Sequence, residues 1–315
     1  MSMSLKVDQA PGGARASGGR RSGVQRIAAL QGVLFLLPAA SVLLVVLVAP
    51  ILYSLNASFY GWSLVLPGSE NDFMGLRNYV WVLTNPDFHR AISVTLLYSL
   101  GAIACQLPLG LAFALFLNET FFARSFFRSV VIIPMVLTPS VLGIFWKLFF
   151  ETESGVFNYF LRSLGFHGVD WLGLDSALWS LILLDTWQMT PFFTLILLAG
   201  LQSRDPELVE AASIDGASSL QVFRFISLPH LLPYILIACS FRLIGAMGDF
   251  DKIFLLTAGG PGDVTTTLSV FAYKLGFSSF EIGRTAAIAW IYLLIVLIVS
   301  SPLIYYLNRY MFRSR

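Results

Sequence analysis

Charged side chains are scarce in this 315-residue chain, and the few that interrupt its long apolar runs recur at helical spacing. Asp185 and Gln188 stand three apart and so share one face of a helix, which Phe192 extends by about one turn. Arg242, Gly245 and Asp249 repeat the spacing further on, with Lys252 continuing it, and Thr138 stands between Pro134 and Pro139, beside Ser140. A charge inside an apolar span is costly, so such residues face a cavity or a partner and mark a solute path by default. Two uses fit the set. Carboxylates, an amide and a guanidinium can exchange hydrogen bonds with a polar solute, with Trp187 offering a flat surface beside them. Alternatively, Asp185 and Arg242 form an ion pair that only holds two helices together. Lys147 suits neither use, because it ends an apolar run where its stem lets the ammonium snorkel to the interface.

Other chemistries lack their residues. No phosphate loop of the Gly-x-x-x-x-Gly-Lys-Ser/Thr type is present, since none of Lys6, Lys147, Lys252 or Lys274 stands in that arrangement. His89, His167 and His230 are scattered, with neither metal-ligand spacing nor a nucleophile partner, so neither an enzyme active site nor a metal site is expected. Cys105 and Cys239 both fall inside apolar runs and read as small buried hydrophobes rather than a disulfide framework.

The elements that must position these residues follow from composition. Hydrophobic residues make up 57% of the chain and charged ones 12%, with a mean hydropathy of +0.76. Soluble domains carry charge on about a quarter of their residues, so this chain belongs in a bilayer. The net charge of +2, with its basic residues spread between apolar runs, argues against nucleic acid as a partner. The expected fold is all-α and polytopic, with six membrane spans near 27–55, 91–117, 130–150, 177–201, 231–257 and 285–307. Pro50, Pro108, Pro134, Pro139 and Pro191 bend several of them, as membrane helices tolerate where neighbours re-satisfy the backbone.

With the N-terminus inside, the inner segments hold twelve Lys and Arg and the outer loops five, which predicts that both termini are cytoplasmic. Residues 1–26, rich in Gly, Ser and Arg, lack the apolar side chains that offset ordering entropy and are expected to be a disordered cytoplasmic arm. A cleaved leader is the competing reading, but the run to residue 55 exceeds the roughly 7–15 residues of a leader's apolar core. Residues 27–315 then form one transmembrane domain.

One cytoplasmic segment, 202–230, is not membrane-like and is long enough to carry structure of its own. Asp205 is placed to cap a helix, Pro206 suits its first position, and Glu207 and Glu210 complement its positive end. Asp215-Gly216 ends it, because glycine enters a left-handed backbone without steric cost. Ser218 or Ser219 then caps a second helix, and Pro229 and Pro233 punctuate the entry to the next span. A DNA-binding helix-turn-helix is contradicted by charge, since Arg204 and Arg224 face Asp205, Glu207, Glu210 and Asp215. A loop packed on its own helices and a docking element with small residues at Ala211, Ala212, Gly216 and Ala217 both remain.

The order Glu210-Ala211-Ala212, Asp215-Gly216-Ala217, Phe223, Leu228-Pro229 and Pro233 resembles the EAA loop of ABC importer permeases, at the place between the fourth and fifth core helices where that family has it. Gly75-Leu76, Asn78-Tyr79, Pro86, Phe88 and Thr95-Leu96 are similar to the opening of the sugar-permease family. Phe250-Asp251 and Thr257-Ala258-Gly259-Gly260-Pro261, followed by Thr265 and Thr266, are similar to the first permease of the sugar-transporter pair, the maltose/glycerol-phosphate type.

The resemblance implies a type I ABC importer fold and a bacterial inner-membrane, multi-pass location. It also implies that the segment is a coupling helix seated in a separate ATPase subunit, with Glu210, Ala211, Ala212, Asp215, Gly216, Ala217, Phe223 and Pro229 carrying the contact. The implied partners are a second homologous permease, a dimer of ATP-binding subunits and an extracytoplasmic solute-binding protein, besides membrane lipid. ATP and Mg would be used by the partner chain, and no cofactor is expected on this one. The substrate would be a sugar or related polyol, for which Thr138, Asp185, Gln188, Arg242, Gly245 and Asp249 are the candidate path. An Arg in that path leaves open an anionic, glycerol-phosphate-type substrate. An ion-coupled secondary transporter using Asp185 or Asp249 is the rival, but it predicts two repeated halves, and the EAA segment has no place in it.

Overall fold

A computed structural model describes residues 35–313, with side chains described as far as Arg309. The arm expected at 1–26 and the first residues of the expected first span lie outside the described residues. Residues up to Asn56 belong to one unit and those from Ala57 onward to a second. The described residues of the first unit lie in helix α1, Phe35–Ala57, whose last residue opens the second unit; its apolar window has a mean hydropathy of 2.7, and it carries a π-type stretch at Leu44–Val48.

In the second unit the helices are α2 (Arg77–Thr84), α3 (Pro86–Asn118), α4 (Arg124–Val136), α5 (Pro139–Phe149), α6 (Val156–Ser163) and α7 (Ala177–Gln202). They continue as α8 (Pro206–Ile214), α9 (Ser219–Gly248), α10 (Asp251–Thr257), α11 (Leu268–Tyr273) and α12 (Ile282–Arg313). Among the described residues no strand forms, only an isolated antiparallel bridge between Tyr60 and Phe73. Five helices, α1, α3, α7, α9 and α12, are long and apolar enough to cross a bilayer, and α4 with α5 makes a sixth if that bent pair is one span.

Two expected spans are broken. The third, taken as continuous over 130–150, is α4 and α5 at 96° to one another. Pro139 is the cause: its ring disfavours helical backbone at the preceding residue, and Thr138 is extended with ψ of 137°. The fifth, taken as 231–257, ends at Gly248, and Asp249 (ψ 127°) and Phe250 separate it from α10. In the opposite sense, the second helix of the segment 202–230 is not separate. It runs unbroken through Pro229 and Pro233 as the start of α9, by way of a π-type turn at Phe223–Ser227. That wider turn alters the carbonyl spacing just where two prolines lack the N–H that would use it.

Among the described residues the packing has three apolar clusters. In one, Ala114 and Leu117 of α3 meet Phe193, Leu197 and Leu201 of α7 and Leu231 and Ala238 of α9. In a second, Tyr98 meets Leu181, Leu184, Ala246, Ile253, Leu142 and Trp146, and in a third Val82 and Phe88 meet Leu268, Ala287 and Ile288. Along α7 and α9, Asp185, Gln188 and Arg242 lie between the first two.

Two of the loops between helices are tied down by buried asparagines. Asn78 Nδ2 donates to the carbonyls of Ser58 (2.9 Å) and Tyr60 (2.7 Å), while the Tyr79 hydroxyl sits 2.6 Å from Ser58 Oγ. Asn158 donates to Thr152 O and Val169 O and accepts from the Val169 N–H and Trp171 Nε1. Beyond α10 the turn through Gly260-Pro261, a cis peptide, is closed by Thr265 Oγ1 donating to Gly260 O and Thr266 Oγ1 to Gly259 O.

Candidate functional site

Two constellations stand out, one in the segment 202–230 and one between two of the apolar clusters.

The first is α8, its turn and the start of α9. Asp205 Oδ1 accepts the Glu207 N–H at 3.0 Å, so the helix starts at Pro206 as the cap demands. It ends in a Schellman turn. Gly216 has φ of +80°, its N–H reaches Ser213 O at 3.2 Å, and the Ala217 N–H reaches Ala212 O at 2.9 Å. An added Cβ at Gly216 would meet no atom within 4 Å, so glycine is required there by backbone conformation and not by space. Ser218 and Gln221 form a reciprocal capping box that launches α9.

The segment is held to the spans from behind. Arg204 bonds Ser227, Ser203 Oγ lies 2.7 Å from the Tyr234 hydroxyl, and His230 Nε2 lies 3.1 Å from Gly200 O. Its front is apolar and exposed. Leu208, Ile214, Leu220 and Phe225 all stand in the open, Ile214 at 86% exposure. Glu210, Ala211, Asp215, Gly216 and Pro229 are exposed, whereas Ala212, Ala217 and Phe223 are half-buried. A concavity of about 340 Å³ lies along Asp215, Gly216, Ala217, Gln221 and Phe225. In water such a surface is a liability, and apolar side chains on a capped, braced helix are suited to burial by another protein.

The second constellation gathers around Asp185. Its carboxylate bonds Arg242 and Lys252 at once, and Gln106 Nε2 donates to it at 2.8 Å. Asp249 lies 2.9 Å from Lys252, 3.4 Å from Arg242 and 3.0 Å from the Tyr98 hydroxyl. Gln188 Oε1 accepts from Lys252 at 3.2 Å, and Arg242 Nε donates to Gln106 Oε1 at 3.1 Å. Two carboxylates and two cations balance. Asp185, Gln188 and Gln106 have no exposed surface, Arg242 has 5% and Lys252 1%, and Asp249 at 19% is the charged member that reaches the outside.

The six expected path residues therefore separate. Asp185, Gln188, Arg242 and Asp249 come together, but the first three are turned on one another inside the chain. Thr138 and Gly245 are exposed. Trp187 leaves α7 on another side, 42% exposed, its ring 5.5 Å from that of Trp146. Sequence reasoning missed Gln106 and Tyr98. Both are polar groups within the second apolar span, and the rule that found Asp185 applies to them equally. Lys147 is exposed near the outer end of α5, clear of the cluster.

Outside the spans two carboxylates sit below their ordinary range. Asp263 Oδ1 accepts from Lys274 Nζ and Thr266 Oγ1, each at 2.9 Å, and Lys274 is the larger cause. Glu151 accepts from the side chain and N–H of Ser154, both at 2.5 Å. Among the described residues no group of His, Cys, Asp and Glu has the arrangement of a metal site.

With this geometry in hand, comparison with known proteins is informative. Residues 106–312 match the family described as "Binding-protein-dependent transport system inner membrane component". The probable ABC transporter permease protein y4oQ of Sinorhizobium fredii is 59% identical over 87% of this chain and 89% of its own. The trehalose/maltose transport system permease protein MalF of Thermococcus litoralis is 38% identical over 87% and 92%. Among solved structures, a bacterial ABC transporter involved in the import of the acidic polysaccharide alginate superposes with a TM-score of 0.78 over 92% of this chain and 98% of the matched one. At 23% identity that likeness speaks for the fold.

Proposed function

This chain belongs to the family of binding-protein-dependent transport system inner membrane components, and on that premise we propose that it is the transmembrane permease subunit of an ATP-driven sugar importer. The observation that carries the reading is α8 with its glycine turn. It is a capped helix with exposed apolar side chains, joined by the short turn at Gly216 to a continuous helix, α9, that ends at the Asp185 cluster. A push on α8 is delivered along α9 to the level where the spans break.

ATP is hydrolysed on a separate chain. Glu210, Ala211, Ala212, Asp215, Gly216, Ala217, Phe223 and Pro229 form or support the surface that chain receives, and a second homologous permease completes the conduit. A solute-binding protein delivers substrate from outside. Both termini are cytoplasmic, as the twelve-to-five distribution of basic residues implies.

A sugar or related polyol is the substrate class that the trehalose/maltose relative supports. The anionic alternative rested on Arg242, and that side chain is already engaged by Asp185 and Asp249. Thr138 and Gly245, being exposed, are the path residues open to a solute, and Asp249, 19% exposed and paired with Lys252 and Arg242, is the edge of the charged cluster behind them, with Asp185, Gln188 and Arg242 deeper.

The test is co-purification with the ATPase subunit, comparing wild type with Gly216→Asp. An aspartate at φ of +80° strains the turn and adds charge to the docking face. The expected result is normal membrane insertion with loss of bound ATPase and of transport. Equal ATPase binding and equal transport in both proteins would sink the coupling role.

A further inference from the structure

Two spans are broken, and one side chain touches both breaks. Gln188 Nε2 donates to the carbonyl of Leu137 at 3.3 Å, at the bend between α4 and α5. Its Oε1 accepts from Lys252 at 3.2 Å, in the first turn of α10, just past the break at Asp249 and Phe250. The amide is completely buried, and both of its ends are spent on this chain.

The two half-helices beyond the breaks pack as a unit. A Cβ built at Gly143 of α5 would stand 2.8 Å from Leu255 Cβ and 3.2 Å from Lys252 O, so the helices touch there with no room for a side chain. Leu142 and Trp146 share an apolar cluster with Ile253 and Leu256. The bend leaves Leu137 O without a helical partner, and a carbonyl at membrane depth must find a donor. Gln188 is that donor.

We propose that Gln188 is a positioning residue for transport: its amide joins the two helix breaks to α7, so that α5 and α10 move together as one outer flap at the end of the lever formed by α9. This rests on the permease reading above. Lys252 supplies the second attachment through Asp185, so loss of Gln188 loosens the flap without releasing a buried charge.

The experiment uses the assembled transporter in lipid nanodiscs, in a Cys105→Ser, Cys239→Ser background, with a reporter cysteine at the exposed position Ser140→Cys in the first turn of α5. Gln188→Leu removes both bonds at similar volume, whereas Gln188→Glu keeps the acceptor for Lys252 and faces Leu137 O with a carboxylate. The expected outcome is normal assembly with the ATPase, a maximal transport rate down roughly tenfold for Gln188→Leu, and labelling at position 140 faster by about the same factor. The transport KM stays within about twofold, and Gln188→Glu is intermediate.

A raised KM with unchanged maximal rate would make Gln188 a solute contact and overturn the proposal. So would unchanged labelling, or failure of both variants to assemble. If wild type itself retains no ATPase, it is the permease reading that has failed; ATPase bound with every Gln188 readout flat defeats only the flap.

Discussion

Around Asp185 polar groups are turned inward, and around Gly216 they are arranged to leave an apolar face outward. Asp185, Arg242, Lys252 and Asp249 use their charges on one another in a space almost closed to solvent. In the segment 202–230 Asp205, Ser218 and Gln221 use theirs on helix ends and turns, and Leu208, Ile214, Leu220 and Phe225 are left exposed, the surface proposed to receive the ATPase. The difference lies in what removal costs. Taking one ion from a neutral buried set leaves its counter-ions uncompensated, whereas trimming an exposed side chain changes only what it would have met.

The sharpest break in this contrast comes from Asp185→Leu. It leaves Arg242 and Lys252 with Asp249 alone, and a loss of about 3–5 kcal/mol is expected. The readout is thermal unfolding of the purified permease in detergent, followed by tryptophan fluorescence. A wild-type melting temperature with abolished transport would make the cluster a solute site and erase the distinction between the two regions.

Ile214→Asp probes the opposite pole. Its melting temperature should match wild type, because Ile214 is 86% exposed and supports nothing in this chain. Affinity for the ATPase should fall by about one to two orders of magnitude, as loss of a buried aliphatic contact of roughly 1.5–3 kcal/mol implies. Titration of the ATPase subunit against permease in nanodiscs measures it. Unfolding of the variant would show that the segment is packed rather than presented.

The smallest effect concerns Asp263 and Lys274, an ion pair of the outer turn with half-open side chains at 51% and 35% exposure. Because Lys274 and Thr266 hold the Asp263 carboxyl below its ordinary value, the pair's contribution is present at neutral pH and is lost as pH falls through that depressed value. An exposed pair of this kind contributes at most about 1 kcal/mol and is screened by salt. Asp263→Asn should therefore flatten the acid limb of the melting-temperature profile slightly, more at low ionic strength. An effect as large as that of Asp185→Leu would mean that burial is not what separates the strong cluster from the weak pair.

How much of this was legible depends on the range of the interaction. Asp205, Gly216 and Ser218 act within four residues of themselves, and the helix ends they predict are where the structure has them. The fourth span, expected at 177–201, is α7 at Ala177–Gln202. The third and fifth spans were read as continuous because their hydrophobicity is continuous. A hydropathy window registers transfer to lipid and is blind to Thr138 being driven out of helical backbone by Pro139.

By itself, then, the sequence determined the membrane class and the caps and turn of the segment 202–230, since each follows from side-chain chemistry over one or two helical turns. Only the tertiary structure decided that Asp185 holds Lys252 as well as Arg242, that Gln106 and Tyr98 complete the cluster, and that Gln188 reaches both helix breaks. Those partners lie 64, 67 and 79 positions away along the chain in the contacts of Gln188 and Asp185 with Lys252 and Gln106. Separations of that size carry no periodic signal. They arise when α3, α7, α9 and α10 pack side by side, and the cost of an uncompensated charge at membrane depth then selects the pairing.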